Sequence, residues 1–376
     1  MQSGRASRLG PGLVLLAIGW LVGVVFLSLQ SPHAAGSESG GVPAIPVTRT
    51  LLPNDGVYVA RSREFGAIQV ITEGRTLYPD RTALDDDTLA TTIEVPGGHA
   101  LVLIDVRTGE MQQVAYWGGD QVNREVQLSG PYVMWQHEVS RSVVRLHVYD
   151  RELQREVFTH DGLAVEVSAK DGLLVWRDYD PQLQHTTLDG YDLVAQAQFS
   201  ITVPMTVTID DPRICSRQWL IYRYDAHYDA DGTHGWASIQ AHNLSTGEEV
   251  VVTERAYLPG AGGGAPHDCD GQWITWIEAS HLTGGTFSQH VYDLATRTSR
   301  ALDLPLSPVP AHPHISGSIV INEETGYDLL TGRSFSLPYG SRNRLVLWHD
   351  RIVWWTTPRP GEPVIRLYVA AIERSP

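Results

Sequence analysis

Along most of the chain the hydrophobic residues fall into short solid runs rather than an alternating or helical pattern. Each run opens on a turn-like residue, often glycine, and most end in an aromatic. They read Gly130-Pro-Tyr-Val-Met-Trp135, Gly172-Leu-Leu-Val-Trp176, Gln218-Trp-Leu-Ile-Tyr222, Gly271-Gln-Trp-Ile-Thr-Trp276, Gly317-Ser-Ile-Val-Ile321 and Arg351-Ile-Val-Trp354. Their last residues lie 41, 46, 54, 45 and 33 residues apart, a self-similarity at the period of repeat architectures. Consecutive apolar positions need cover on both faces. A propeller's inner strands have that cover, because each blade is sandwiched between its neighbours, and the runs are read as those inner strands.

A second element follows each run: an apolar strand ending in Asp or Asn, then a turn that often carries Thr-Gly. The copies are Leu103-Ile-Asp105-Val-Arg-Thr108-Gly109, Val148-Tyr-Asp150, Gly190-Tyr-Asp192, Asn243-Leu-Ser-Thr246-Gly247, Val291-Tyr-Asp293-Leu-Ala-Thr296 and Tyr327-Asp328-Leu-Leu-Thr331-Gly332. A side-chain oxygen at this place accepts backbone N–H groups of the loop, and glycine takes the positive φ that closes it. These Asp residues are therefore assigned to turns rather than to catalysis. An alternating strand follows, as in Arg333-Ser-Phe-Ser-Leu337. Six copies and a final Arg366-Leu-Tyr-Val-Ala370 predict an all-β propeller of seven blades, with six or eight as the neighbouring counts. The pattern places the first inner strand within Gly56–Ala60 or Leu89–Val95. A strand near Val57 is expected to pair beside the C-terminal one and close the ring, which removes exposed sheet edges.

The N-terminus breaks this pattern. Leu13 to Leu29 holds no charged residue and follows Arg5 and Arg8, which predicts one hydrophobic helix over residues 12–29, a transmembrane signal anchor or else a signal peptide. An Ala-x-Ala cleavage site is missing, the nearest candidates lying around His33, Ala34 and Ala35, and no cysteine follows for a lipoprotein anchor. Arginines before the run, and none after it until Arg49, place residues 1–11 in the cytoplasm. Residues 30–48 then form a flexible linker and residues 49–376 an extracytoplasmic propeller.

Composition narrows the partners. The 376 residues include eleven Trp and fifteen Tyr, which favour strands, and only 19% are charged, which argues against long exposed helices. The net charge is −15, with Lys170 the single lysine. An acidic surface repels phosphate backbones, so nucleic acid is excluded as a partner.

The alternation Gly-x-x-Val-x-Trp followed by Val-Tyr-Asp-Leu-x-Thr-Gly resembles the TolB-like β-propeller repeats of bacterial and archaeal envelope proteins, over about Gly130 to Ala371. Asp-x-x-Thr-Gly turns also occur in quinoprotein and WD-type propellers. However, no docking Trp follows Thr108-Gly109, and the Trp-Asp ending of WD repeats is missing. The resemblance implies a binding platform rather than an enzyme, although related propellers serve as domains of peptidases and polysaccharide-degrading enzymes.

Three local patterns carry candidate chemistry. Cys215 lies seven residues before Tyr222 and Cys269 seven before Trp276, in Pro212-Arg-Ile-Cys215 and Pro266-His-Asp-Cys269. Equivalent positions of adjacent blades converge near the axis, so the pair is read as a disulfide suited to an oxidising compartment, with two separate buried thiols as the alternative. The same alignment, extended to Pro313-His-Ile-Ser316, puts Arg213, His267 and His314 on one rim of the channel as a ligand-binding ring. Asp225, Asp229 and Asp231 before Gly232 have the alternation with which a loop wraps calcium. His227 and Ser238 nevertheless stand where oxygen ligands belong, and a plain turn accounts for the loop equally. No Gly-x-Ser-x-Gly elbow and no phosphate-binding Gly loop is present, and no catalytic residue or other cofactor is assigned.

The expectation is a membrane-anchored, non-catalytic module that binds an envelope protein or glycan. The alternative is an extracytoplasmic glycan-cleaving propeller using His and Asp at the channel rim. Convergence of ionisable groups in one pocket of the funnel would discriminate between them.

Overall fold

The computed structural model describes residues 57–61, 68–72 and 77–372, apart from the segments 119–122, 141–142, 163–164, 181–184, 202–208, 233, 260–266, 281–285, 307–311, 323–324, 338–345 and 357–365. Among these residues the chain folds as seven antiparallel sheets, six of four strands and one of five. The first blade is a meander of Leu77–Asp85, Thr88–Val95, Gly98–Asp105 and Met111–Gly118, and the next five repeat it. The innermost strands are Leu77–Asp85, Asn123–Ser129, Val165–Lys170, Ile209–Ile214, His267–Asp270, His314–Ser316 and Val346–Trp348. Each packs beside the next, and the last returns against the first, so the ring is closed.

Closure uses both ends of the chain. Ile68–Thr72 pairs with Arg366–Ala371, the outermost C-terminal strand, and Val57–Arg61 adds a fifth strand outside it. The strand near Val57 is thus one place further out than expected. The first inner strand is Leu77–Asp85, while Leu89–Val95 belongs to the second strand. The expected N-terminal helix lies outside the described residues, and among those described no helix is long and apolar enough to cross a membrane.

The solid apolar runs also sit one strand further out than expected. Trp135, Trp176, Tyr222, Trp276, Ile321 and Trp354 all lie on the second strand of their blade. Burial explains this: the second strand is covered by a neighbouring sheet on each side, whereas the inner strand borders the channel. There is accordingly no single core. One apolar cluster fills each gap between consecutive blades, from Leu101, Val114, Val133 and Tyr149 between the first and second to Leu89, Ile93, Val353 and Leu367 between the seventh and first. Each such side chain stabilises by roughly 1.5–3 kcal/mol when fully buried. A lone blade leaves both faces wet, so only the stacked ring is stable.

Inner strands are sheet edges, and their outward N–H groups need acceptors. The neighbouring inner strand supplies them as side chains. Asp85 accepts from Gly130 N (2.6 Å), Gln127 from Ala169 N (2.7 Å), Ser168 from Ile214 N (3.0 Å), Asp268 from Ile315 N (3.1 Å) and Ser316 from His349 N (2.6 Å). This accounts for the polar character of strands that line the middle of the molecule.

Candidate functional site

Four consecutive inner strands carry an irregularity, the first between Tyr78 and Thr82, and the other three border the candidate site. Register shifts fall between Asn123 and Val126, between Val165 and Val167, and between Asp210 and Arg213. At two of them an acidic residue holds a left-handed backbone, Glu166 at φ 64° and Asp211 at φ 50°. A bulge re-aims a side chain out of the pleat, and such strained conformations persist where function requires them. Glu125 Oε2 accepts from Val167 N at 3.3 Å, and Glu166 Oε2 from Asp211 N at 2.5 Å.

The residues singled out from the sequence join this row. Arg213 Nη2 lies 2.8 Å from Asp211 Oδ1. His267 is buried, its Nε2 3.0 Å from the carbonyl of Asp211 and its Nδ1 3.8 Å from Asp211 Oδ2. His314 Nδ1 lies 3.8 Å from Asp268 Oδ2. Arg213, His267 and His314 therefore belong to one cluster, joined through Asp211 and Asp268. They are not three equivalent rim positions, however. His267 and His314 stand opposite Trp276 and Ile321, whereas the bulge and a longer turn place Arg213 opposite Ile221, one pairing position away. His312 completes the group on the sixth blade, within electrostatic reach of His314, Asp211 and Arg213.

Electrostatics distinguish the members. Burial raises Glu125 and Glu166 above the usual carboxylate range, against the pull of Arg213 and Arg177 respectively. Burial would raise Asp211 as well, but Arg213, His267, Arg223 and His312 outweigh it and hold its carboxyl low. Asp268 is likewise held low against burial, by its hydrogen bond with His314 and by Arg213. Asp211 and the other carboxylates push Arg213 further up, so it is charged at every working pH. Burial lowers His267, and it lowers His312 to about 4, so both are neutral near pH 7. Arg213 lines the channel cavity and keeps 39% of its side-chain surface exposed.

Toward the other end the channel widens to a cavity of about 540 Å³, lined by residues of all seven inner strands or the turns that follow them. There Lys170, of the third blade, reaches across to Asp270, of the fifth. Cys215 and Cys269 are disulfide-bonded with Cα atoms 5.0 Å apart, and the bond ties the fourth and fifth inner strands beside Arg213 and Asp268.

The acidic residues on the fourth blade divide between a strand and its turn: Asp225 lies at a register shift within Trp219–Tyr228, and Asp229 and Asp231 lie in the turn that follows. Asp225 meets His227 Nε2 at 3.0 Å, and Asp229 accepts Gly232 N through its carbonyl and His234 N through its carboxylate. Asp231 is exposed. Among the described residues no group of three or more His, Cys, Asp or Glu is arranged to hold a metal ion.

Sequence reasoning missed Glu125, Glu166, Asp211, Asp268 and His312. One signal was available: Glu125 and Glu166 each precede a valine at a separation of 41 residues, and Asp211 follows 45 residues later.

No family model and no curated protein matches the sequence. Solved structures match throughout the ring. An oligogalacturonate lyase in complex with manganese is 13% identical, with a TM-score of 0.57 over 83% of this chain and 95% of that one. The β-propeller domain of the trilobed protease from Pyrococcus furiosus is 11% identical, with a TM-score of 0.52 over 75% of this chain and 91% of that one. TolB from Acinetobacter baumannii is 11% identical, with a TM-score of 0.41 over 76% of this chain and 64% of that one. The first two likenesses show the fold as a β-propeller, and a fold by itself does not fix a function.

Proposed function

We propose that the chain is an extracytoplasmic propeller, held at the membrane by residues 12–29, that takes a polyhydroxylated ligand such as an envelope glycan into its channel. The supporting observation is the convergence of Glu125, Glu166, Asp211, Arg213, His267, Asp268, His312 and His314 from five consecutive blades. A surface that only docks a protein partner does not need ionisable groups gathered at its axis, whereas a site that orients sugar hydroxyls does. The disulfide suits an oxidising compartment, and the uncharged run from Leu13 to Leu29 suits a membrane anchor.

Calorimetric titration of the full chain in detergent with neutral, acidic and amino tetrasaccharides tests the proposal. At least one class should bind, and Arg213→Ala should weaken it by about tenfold or more, since it strips a buried carboxylate of its partner. The proposal fails if no saccharide binds while pull-down from solubilised membranes recovers a protein whose binding Arg213→Ala leaves unchanged.

One observation favours cleavage as a second reading. His312, neutral at pH 7, and two glutamates whose carboxyls are pushed toward the protonated form all lie within electrostatic reach of Arg213, and a base and an acid about one site are what glycan cleavage uses. New reducing ends or unsaturated products on incubation with polysaccharide would establish it, and their absence with bound ligand would leave binding alone.

A further inference from the structure

On the side of the Thr-Gly turns, the gap between the first and second blades opens into a groove of about 700 Å³, larger than the channel cavity. Buried Leu103 and Met111 line it, and the exposed carboxylates Glu110 and Glu152 line it from opposite blades. Asp105 is committed to its own turn, where it accepts the N–H groups of Arg107 and Thr108. Arg151 is committed too, donating to Thr88 Oγ1 at 2.6 Å and to the carbonyl of Gly130. Among the described residues no cation forms an ion pair with Glu110 or Glu152. The undescribed segments between residues 119 and 365 belong to connections at the other end of the blades, from second strand to third or from fourth strand to the next inner one. None of them covers this groove.

The repeat shows what such a gap holds when the chain fills it from within. The turn Asp105-Val-Arg-Thr-Gly-Glu110 of the first blade is matched on the fourth by Asn243-Leu-Ser-Thr-Gly-Glu248, so Glu110 and Glu248 are equivalent. Arg297 of the fifth blade reaches Glu248, its Nη2 2.9 Å from Oε1 and 3.0 Å from Oε2. The same guanidinium lies over Trp219, 5.1 Å from the ring centroid. Turn position and register identify the counterparts in the first gap. Arg297 and Gln154 each take the fifth place of their turns with a left-handed backbone, at φ 59° and 53°. Trp219 pairs with Asn243, and Thr88 pairs with Asp105. The first gap therefore keeps the glutamate, with threonine in place of the tryptophan and glutamine in place of the arginine. A carboxylate and room remain where the fourth gap has a carboxylate, a cation and an aromatic ring.

We propose that this groove is a protein-docking site that receives an arginine side chain of a partner protein and pairs its guanidinium with Glu110, as Arg297 pairs with Glu248. A guanidinium suits the place better than an ammonium. Its planar fork meets both carboxylate oxygens, and its stem and faces suit the apolar surface of Leu103 and Met111. Glu152 adds attraction from the second blade. The site uses none of the ionisable groups clustered in the channel, so it works beside the glycan-binding reading and does not depend on it.

The test is fluorescence anisotropy on the full chain in detergent with three labelled nonapeptides of glycine and serine, each carrying one central arginine, lysine or citrulline. Citrulline keeps the shape of arginine and removes its charge. The arginine peptide should bind at least about fivefold more tightly than the citrulline peptide, and more tightly than the lysine peptide. Glu110→Gln, at an exposed position, should bring the arginine and citrulline affinities within about twofold. Gln154→Arg rebuilds within the chain the pair that the fourth gap holds, and it should block the arginine peptide to the same extent. Both variants should leave any tetrasaccharide binding in the channel unchanged. Equal binding of the arginine and citrulline peptides overturns the proposal, and so does binding of none of the three at millimolar concentration. An arginine preference that neither variant reduces also overturns it, because the acidic surface at large is then the attractor. A lysine peptide that matches the arginine peptide overturns the guanidinium assignment.

Discussion

At the residue scale, histidines held neutral by the fold link stability to pH. His137 Nδ1 on the second blade lies 2.7 Å from His147 Nε2, the other ring nitrogen of His147 lies 2.5 Å from Glu156, and Trp135 stacks on His147 at 4.8 Å. Burial first, then His147, lowers His137 from 6.5 to about 4. The unfolded chain therefore binds a proton there that the folded chain refuses, and stability falls as pH drops from about 6.5 toward about 4. Glu125 and Glu166, raised by burial, act in the opposite direction, so the wild-type profile alone does not isolate the histidine. Comparison does. Between pH 6.5 and 4 the urea midpoint of the unaltered chain should fall by more than that of His137→Gln, whose amide can still pair with His147 but has no proton to gain. Parallel profiles would contradict the assignment. None of this was legible in the sequence, where His137 and His147 are two of fifteen scattered histidines. The stack and the hydrogen bond arise only from cross-strand neighbours.

At the element scale, the turns were the most legible part. Asp105, Asp150, Asp192 and Asn243 each accept the two backbone N–H groups expected of them, at 2.8–3.0 Å. This chemistry is local, so three or four residues specify it. Strand rank within a blade was not legible, because an apolar run records burial on both faces and not the distance from the axis. The bulges at Glu166 and Asp211 were invisible for a similar reason: the Glu166 carboxylate and the Asp211 carbonyl each bond to the next blade. A glycine on the third strand shows another cross-strand rule. Gly190 and Gly326 lie under the rings of Phe199 and Phe335, where an added Cβ would come within 2.1 and 2.2 Å of the ring. The aromatic covers the hole that glycine leaves. Gly326→Ala should therefore cost about 1–3 kcal/mol by overpacking, read as a lower urea midpoint, and pairing it with Phe335→Leu should recover part of the loss. An unchanged midpoint for Gly326→Ala would show that the ring moves aside freely.

At the scale of the whole molecule, the ring is a chain of interfaces, and its edges are tied in several ways. Ile68–Thr72 seats itself beside the last strand. Arginines bridge neighbouring blades on the turn side, Arg217 to Asp192, Arg297 to Glu248 and Arg351 to Asp87. The disulfide closes a span of 54 residues, for which the loss of unfolded-chain entropy corresponds to about 4 kcal/mol. Cys215 and Cys269 were readable from their spacing to the following aromatic, although pairing puts Cys215 opposite Trp219 and Cys269 opposite Ile274, so the two are diagonal neighbours. Of these ties the disulfide holds the fourth and fifth inner strands beside Arg213 and Asp268, and a rigid ring is what holds groups from five blades in one constellation. That the ligand enters this channel is the claim on which the functional account stands. Hydrogen exchange of the full chain, with and without its tightest-binding tetrasaccharide, tests it most directly. Protection should appear in peptides covering residues 165–170, 209–215 and 267–270, the inner strands that carry Glu166, Asp211, Arg213, His267 and Asp268. Protection confined to the outermost strands, such as 155–162 or 249–258, with the inner strands unchanged, would contradict it.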